Sequence, residues 1–216
     1  VYTFKDHAEH LYAAWEALGL AENVTLVIHD WGSALGFNWA RLNPEAIKGI
    51  CYMEAVVAPV PSWDAWPERA RQIFQALRSP AGEDMVLEKN VFVERILTAS
   101  IMRELAEEEM NEYRRPFATP GEDRRPTLTW PRQIPIAGEP PEVVEVAAAY
   151  AKWMAENDIP KLFIDAQPGS ILTGDVRDFC LTWKNQTVAA AKGLHFLQED
   201  SPDEIGEALS NWLKTL

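Results

Sequence analysis

One short stretch constrains the fold more than any other. Val24-Thr25-Leu26-Val27-Ile28 is a run rich in β-branched residues, and it empties into His29-Asp30-Trp31-Gly32-Ser33. The run is too short for a helix and suits a strand buried on both faces, as in a parallel sheet. A small-residue run follows, and Gly32 to about Leu42 has the look of a helix closed by Asn43-Pro44. A charge at the exit of such a strand has two readings. Asp30 caps the helix that follows, or it sits on a sharp strand-to-helix turn and does chemistry there.

The remaining sequence supplies the frame. Residues from about Phe4 to Leu18 repeat apolar side chains at helical spacing and stop at Gly19. "IKGICYM" (47–53) and "KLFIDA" (161–166) have the pattern of further strands, with a weak one at Thr187–Ala191. Strand and helix in alternation predict an α/β fold with a mostly parallel sheet. Between Val56 and Pro135 strand patterns vanish, and short amphipathic helices are expected at Trp66–Leu77, Glu83–Lys89 and Ala106–Tyr113. A helix from Glu142 to about Glu156 then restores the alternation. The expected organisation is an α/β core over 1–57 and 137–216 with a helical cap over 58–136. The chain opens on Val1-Tyr2-Thr3 as though inside a domain, so the first strands of the sheet are expected to lie upstream of it.

Composition excludes several classes. Lysine and arginine number 20 against 33 acidic residues, a formal net charge of −13. Such a surface repels phosphate backbones and anionic lipid, so neither nucleic acid nor membrane is an expected partner. No apolar run approaches the ~20 residues of a membrane span. Cys51 and Cys180 lie in apolar settings and are expected as buried free thiols. They form neither a disulfide framework nor a zinc box. The histidines and acids show no ligand spacing, so no metal and no cofactor is expected. The chain is expected to be cytoplasmic and monomeric.

If Asp30 is a nucleophile, its chemistry differs from that of serine. A carboxylate displaces a leaving group at saturated carbon and becomes an alkyl ester. Water must then hydrolyse that ester, which requires a base and an oxyanion hole. Of four histidines, His7 and His10 fall on the first helix as packed or solvated residues, and His29 precedes the nucleophile in a structural role. His195, in the loop "KGLHFLQEDSPDEIG", occupies the place where this architecture sets its base. In that loop Ser201 and Glu204 have capping-box spacing for the last helix. The acid that orients the base has two candidates, Glu54 after the second strand and Asp165 at the end of the third. Trp31 supplies an N–H donor with no acceptor, suited to a leaving anion, or is a core aromatic.

Taken together, "IHDWGSALGF", "YMEAV", "NVFVE", "EDRRPTLTWPRQIPIAGEP", "LFIDAQPG" and "GLHFLQEDSPDEIG" resemble the haloalkane dehalogenases of the α/β-hydrolase superfamily, in the branch of the tetrachlorocyclohexadiene hydrolases. The resemblance implies Asp30 as nucleophile, His195 as base, Glu54 rather than Asp165 as acid, and Trp31 as halide donor with its backbone N–H in the oxyanion hole. It implies a pocket lined by Trp66, Phe74, Phe92, Ile96, Ser100, Pro131, Ile134 and Ile171, with Phe196 beside the base. The partners it implies are a small halogenated hydrocarbon, a chloride or bromide ion, and water. Three departures stand out. The family's His-Gly-Asn-Pro loop falls upstream of Val1, the strand before the base is alanine-rich, and Thr98 stands where a proline is common. Coelenterazine-type luciferases look similar and epoxide hydrolases share the aspartate nucleophile. An inactive truncated module is a third alternative.

Overall fold

The computed structural model describes residues 2–216. Helix α1 (Phe4–Ala17) starts under a capping box in which Thr3 and Asp6 satisfy each other's backbone N–H groups. It is followed by β1 (Val24–His29), α2 (Asp30–Leu42) and β2 (Ile47–Ala55). Next come α3 (Glu68–Arg78), α4 (Ala81–Glu83) running into a π turn (Asp84–Glu88), a second π turn (Phe92–Leu97), α5 (Glu107–Arg114) and α6 (Arg125–Gln133). The chain then returns through α7 (Pro141–Glu156), β3 (Lys161–Pro168), α8 (Gly174–Leu181), β4 (Gln186–Gly193), α9 (Leu197–Asp200) and α10 (Pro202–Leu213).

The four strands form one parallel sheet in the order β1-β2-β3-β4. Side chains alternate across it with period two. Ile50, Tyr52 and Phe163 point to the face covered by α2 and α7, where Phe37, Tyr150 and Met154 are buried with them. Cys51, Met53, Leu162 and Ile164 point to the other face, under Leu197 of α9 and Ile205 and Trp212 of α10. Both thiols are free and buried. Lys161 is fully buried at the start of β3, where its ammonium donates to the carbonyls of Asn157, Ile159 and Lys184 and to the Asn157 side chain, at 2.9–3.1 Å.

Two expectations need correction. β1 is not buried on both faces: Val27 is 49% exposed, because among the described residues β1 pairs with β2 alone and forms an edge. Nor does Ser201 form a capping box with Glu204. Its hydroxyl donates instead to the Lys192 carbonyl (2.7 Å), and Pro202, which has no N–H to satisfy, occupies the first helical turn. The stretch 83–89 is amphipathic as expected, but most of it is wound as a π turn.

The strand-free segment between β2 and α7 leaves and rejoins the core at one place. Val60 and Ile136 bridge, with the Val60 N–H on the Pro135 carbonyl (2.8 Å) and the Ala137 N–H on the Val60 carbonyl (2.9 Å). Arginines tie the segment together. The buried Arg124 guanidinium donates to the carbonyls of Phe117, Leu87, Glu88 and Ala118. Arg132 donates to those of Leu77 and Ser79 and to Glu83, and Arg78 to those of Pro131, Arg132 and Ile134.

Candidate active site

Two neighbouring strand ends carry non-glycine residues in the left-handed region. Asp30 at the exit of β1 has φ +46°, and Glu54 near the exit of β2 has φ +37°. Such conformations cost about 1–3 kcal/mol each and persist only where the surroundings impose them. Here the two exits are coupled. Asp30 and Ala55 form a parallel bridge. The buried Ser33 hydroxyl donates to the Asp30 carbonyl and accepts the Val56 N–H at 2.9 Å. The turn lifts the Asp30 side chain above the sheet edge, where it is 36% exposed.

His195, two residues past β4, completes the arrangement. Its Nε2 lies 3.5 Å from Asp30 Oδ1 and its Nδ1 lies 3.3 Å from Glu54 Oε2. Glu54 is 1% exposed, and its carboxylate accepts the backbone N–H groups of Ser170 (3.1 Å), Ile171 (2.9 Å) and Leu172 (3.3 Å). Such a nest of donors stabilises the ionised form. The turn that builds it passes through Gly169, at φ +72°. A Cβ there would lie 2.9 Å from the Ala166 carbonyl oxygen and 3.0 Å from Glu54 Oε1.

The electrostatics follow from this packing. Burial would raise the Glu54 carboxyl, but the bonds and charge of His195 and the backbone donors outweigh it and hold the group below its ordinary value. Burial also works to raise Asp30, and the charge and hydrogen bond of His195 overcome it in the same direction. On His195 burial opposes the charged form, but the two carboxylates prevail and push the imidazole up to about 9. His29 stays below its usual value, through burial and then the neighbouring His195. It donates from Nε2 to the His195 carbonyl at 2.7 Å, a structural role as expected.

Asp165, the other candidate acid, is elsewhere. It is 2% exposed and takes a two-pronged bond from Arg177, with Nε and one terminal nitrogen each at 2.8 Å. Trp31 is buried beside Asp30. Its ring lies 4.5 Å from that of Trp130 and 6.0 Å from that of Phe4, and its backbone N–H helps to hold the Asp30 carboxyl below its ordinary value. Trp130 in turn stacks on His7 at 4.3 Å.

The expected pocket residues divide. Trp66 and Phe74 touch (ring centres 5.2 Å) and belong with Trp31, Ile134 and Ile171 in one apolar cluster. Phe74 and Ile96 also pack on a second cluster around Leu77 and Leu128. Phe196 sits edge-on to His195 at 4.8 Å and packs on a third, around Val93 and Met110. The Ser100 hydroxyl is turned back to the Ile96 carbonyl (2.7 Å). Pro131 is buried and Phe92 half-buried. Sequence reasoning missed Trp130 and the 170–172 nest. Trp130 lies inside the quoted "RRPTLTWPRQ" motif without any polar pattern to single it out. The nest is made of backbone N–H groups, which no side-chain pattern reports.

With this geometry in view, the relatives are informative. A family model described as alpha/beta hydrolase fold matches residues 1–202. A haloalkane dehalogenase of Sphingobium indicum is 56% identical over 215 residues, spanning 100% of this chain and 72% of that protein. The crystal structure of haloalkane dehalogenase DbeA from Bradyrhizobium elkani superposes with a TM-score of 0.94 at 40% identity, over 99% of this chain and 74% of that one. The coelenterazine h 2-monooxygenase of Renilla reniformis is 40% identical over 99% of this chain and 68% of its own. The α/β-hydrolase fold is thereby shown, and the chain belongs to the haloalkane dehalogenase family within it.

Proposed function

We propose that the chain hydrolyses the carbon–halogen bond of a small halogenated hydrocarbon, with Asp30 as nucleophile, His195 as base and Glu54 as orienting acid. An Asp30 oxygen attacks the carbon bearing the halogen and inverts it. The halide leaves with the bonding pair toward the Trp31 indole N–H, and an alkyl ester remains on Asp30. In the second step water gives a proton to His195 Nε2, and its oxygen bonds to the Asp30 carboxyl carbon. In this reading the Trp31 backbone N–H stabilises the oxygen that becomes negative. Collapse releases the alcohol and restores the carboxylate, so the products are alcohol, halide and a proton.

One observation carries this reading: the residue lifted on the strained turn against an imidazole is a carboxylate, not a hydroxyl. The charge balance then orders the two steps. In the resting site Asp30 and Glu54 hold His195 protonated, while Asp30 itself stays ionised and ready to attack. Esterification removes the Asp30 charge, so the imidazole gives its proton to solvent and becomes a base only when a base is needed.

The same reading assigns residues 58–136 to a cap closing the site, with Trp66, Phe74, Phe92, Ile96, Ser100, Pro131, Ile134, Ile171 and Phe196 lining it. An aromatic and aliphatic lining suits a substrate that offers nothing to hydrogen-bond except its halogen. We take the chain to act as a cytoplasmic monomer. Among the described residues no helix is long and apolar enough to cross a membrane. The relative from Renilla keeps a coelenterazine monooxygenase as the second reading, and light emission without halide release from a bromoalkane is its signature. An epoxide hydrolase would need tyrosine donors in the cap. The one tyrosine there, Tyr113, gives its hydroxyl to Glu199.

The deciding experiment is mass spectrometry of His195→Phe after exposure to 1-bromobutane. The expected result is a butyl adduct on the peptide carrying Asp30, with halide released once per chain. Turnover by the unmodified protein, with no adduct in the variant, overturns the mechanism.

A further inference from the structure

The backbone around the base is fixed at three consecutive residues by three different elements. The Leu194 N–H donates to Asp200 Oδ2 (3.3 Å), the His195 carbonyl accepts from His29 Nε2 (2.7 Å), and the Phe196 N–H donates to the Ser100 carbonyl (3.0 Å). His29 ties the base to the nucleophile turn. The other two ties run elsewhere, to the segment 100–103 between the second π turn and α5.

Asp200 is the centre of that connection. Besides Leu194, its carboxylate accepts the Met102 N–H (2.9 and 3.1 Å) and the Arg103 N–H (3.0 Å). The neighbouring Arg103 side chain doubles the link, donating to the Glu199 carbonyl (2.8 Å) and pairing with the Glu199 (2.6 Å) and Glu109 (2.7 Å) carboxylates. Asp200 reaches these donors because α9 lies directly on Gly193. A Cβ there would come within 2.6 Å of Leu197 Cβ and 3.4 Å of Asp200 Oδ2. One carboxylate thus collects backbone donors from two distant segments, Met102 lying 98 residues before Asp200 in the chain and Leu194 six before it.

We propose that Asp200 is a positioning residue for the base: it clasps the His195 loop to segment 100–103 and thereby sets where the imidazole stands. The inference rests on the reading of His195 above. Asp200 touches neither substrate nor the reacting atoms and acts through the backbone it holds, at Leu194 on one side and at Met102 and Arg103 on the other. Because attack by Asp30 does not use the imidazole as a base whereas ester hydrolysis does, loosening the clasp slows the second step selectively. An error of about 1 Å in the placement of a catalytic group costs up to ~10²-fold.

The test follows formation and decay of the Asp30 ester by quenched-flow mass spectrometry with 1-bromobutane, in the wild-type chain and in Asp200→Asn. Asparagine keeps the volume, but its NH₂ group would face the backbone donors that the carboxylate accepts. The expected result is decay slowed about 10- to 100-fold, with formation within about threefold of wild type, so the ester accumulates. Unchanged decay, or formation and decay slowed by the same factor, overturns the proposal. If Asp200→Asn does not fold, Arg103→Ala cuts only the flanking ties and should show the same selective slowing at a few-fold, and no selectivity there is equally fatal. A wild-type chain that turns over without an ester defeats the mechanism in the previous section, and the role of the clasp with it. An ester that forms normally with no split in the variants removes the clasp alone.

Discussion

The strand ends and the helical segment between β2 and α7 are both held by hydrogen bonds onto backbone, but with opposite polarity. At the strand ends carboxylates accept from N–H groups: Glu54 from residues 170–172 and Asp200 from 102, 103 and 194. In the helical segment arginine forks donate to carbonyls, Arg124 to four of them and Arg78 to three. In the first arrangement Glu54, with Asp30, puts negative charge beside one imidazole and raises its proton affinity, while Asp200 holds the backbone that carries it. The second spreads positive charge over loops away from the triad. Geometry at the strand ends is therefore chemistry, whereas geometry in the helical segment is shape. Substitutions in the two regions should separate along that line.

The sharpest break should come at Glu54. Glu54→Gln keeps the size but turns an NH₂ group toward N–H donors and takes a charge from His195. Ester hydrolysis should fall by about 10³-fold or more, as when the orienting acid of a triad loses its charge. The burst of halide from the first turnover should survive. Asp165→Asn, which disturbs a buried carboxylate paired with Arg177 instead, should leave both steps nearly intact. Stopped-flow halide detection on the two variants checks this, and a larger loss at Asp165 would reassign the acid and collapse the contrast between the regions.

At Arg124 the loss should be of stability, not chemistry. Arg124→Met leaves four carbonyls short of their donor in a buried place and should cost about 2–4 kcal/mol. Thermal melting should record the loss, while ester formation and decay in the folded fraction stay near wild type. A selective loss of ester hydrolysis in this variant would show that the helical segment governs the base more broadly than through Asp200.

These contrasts also mark what was legible in the sequence. The strand-turn-helix around Asp30 could be read because its physics is local: a β-branched run, one charge, then small residues. His195 could be read because hydrolysis of an ester demands a base, and the loop after the last strand is where this architecture sets one. Choosing Glu54 over Asp165 took the resemblance, because both close a strand and only the nest at 170–172 and Arg177 separate them in space. Ser201 looked like a cap because its spacing to Glu204 is right, but a nearer carbonyl at Lys192 won its hydroxyl.

The smallest effect, and the one that most refines the comparison, is the pH dependence of the two steps. The Asp30 carboxyl is held below its ordinary value, so it remains ionised through the neutral range and well into acid. Protonation of His195 in the free chain leaves that nucleophile intact and sustains its charge. The rate of ester formation, read as kcat/KM for halide release where formation limits it, should therefore be flat from about pH 6 to 8. Ester decay needs the neutral imidazole. With Asp30 esterified, the charge and hydrogen bond that chiefly offset burial are gone, so the imidazole titrates below the value of about 9 it has in the free chain. Decay should accordingly slow as pH falls through that lower value, while formation does not, so the ester accumulates toward acid. If formation and decay instead lose rate together on acidification, the coupling between Asp30 and His195 is not what sets the base, and the electrostatic distinction between strand ends and helical segment fails at its centre.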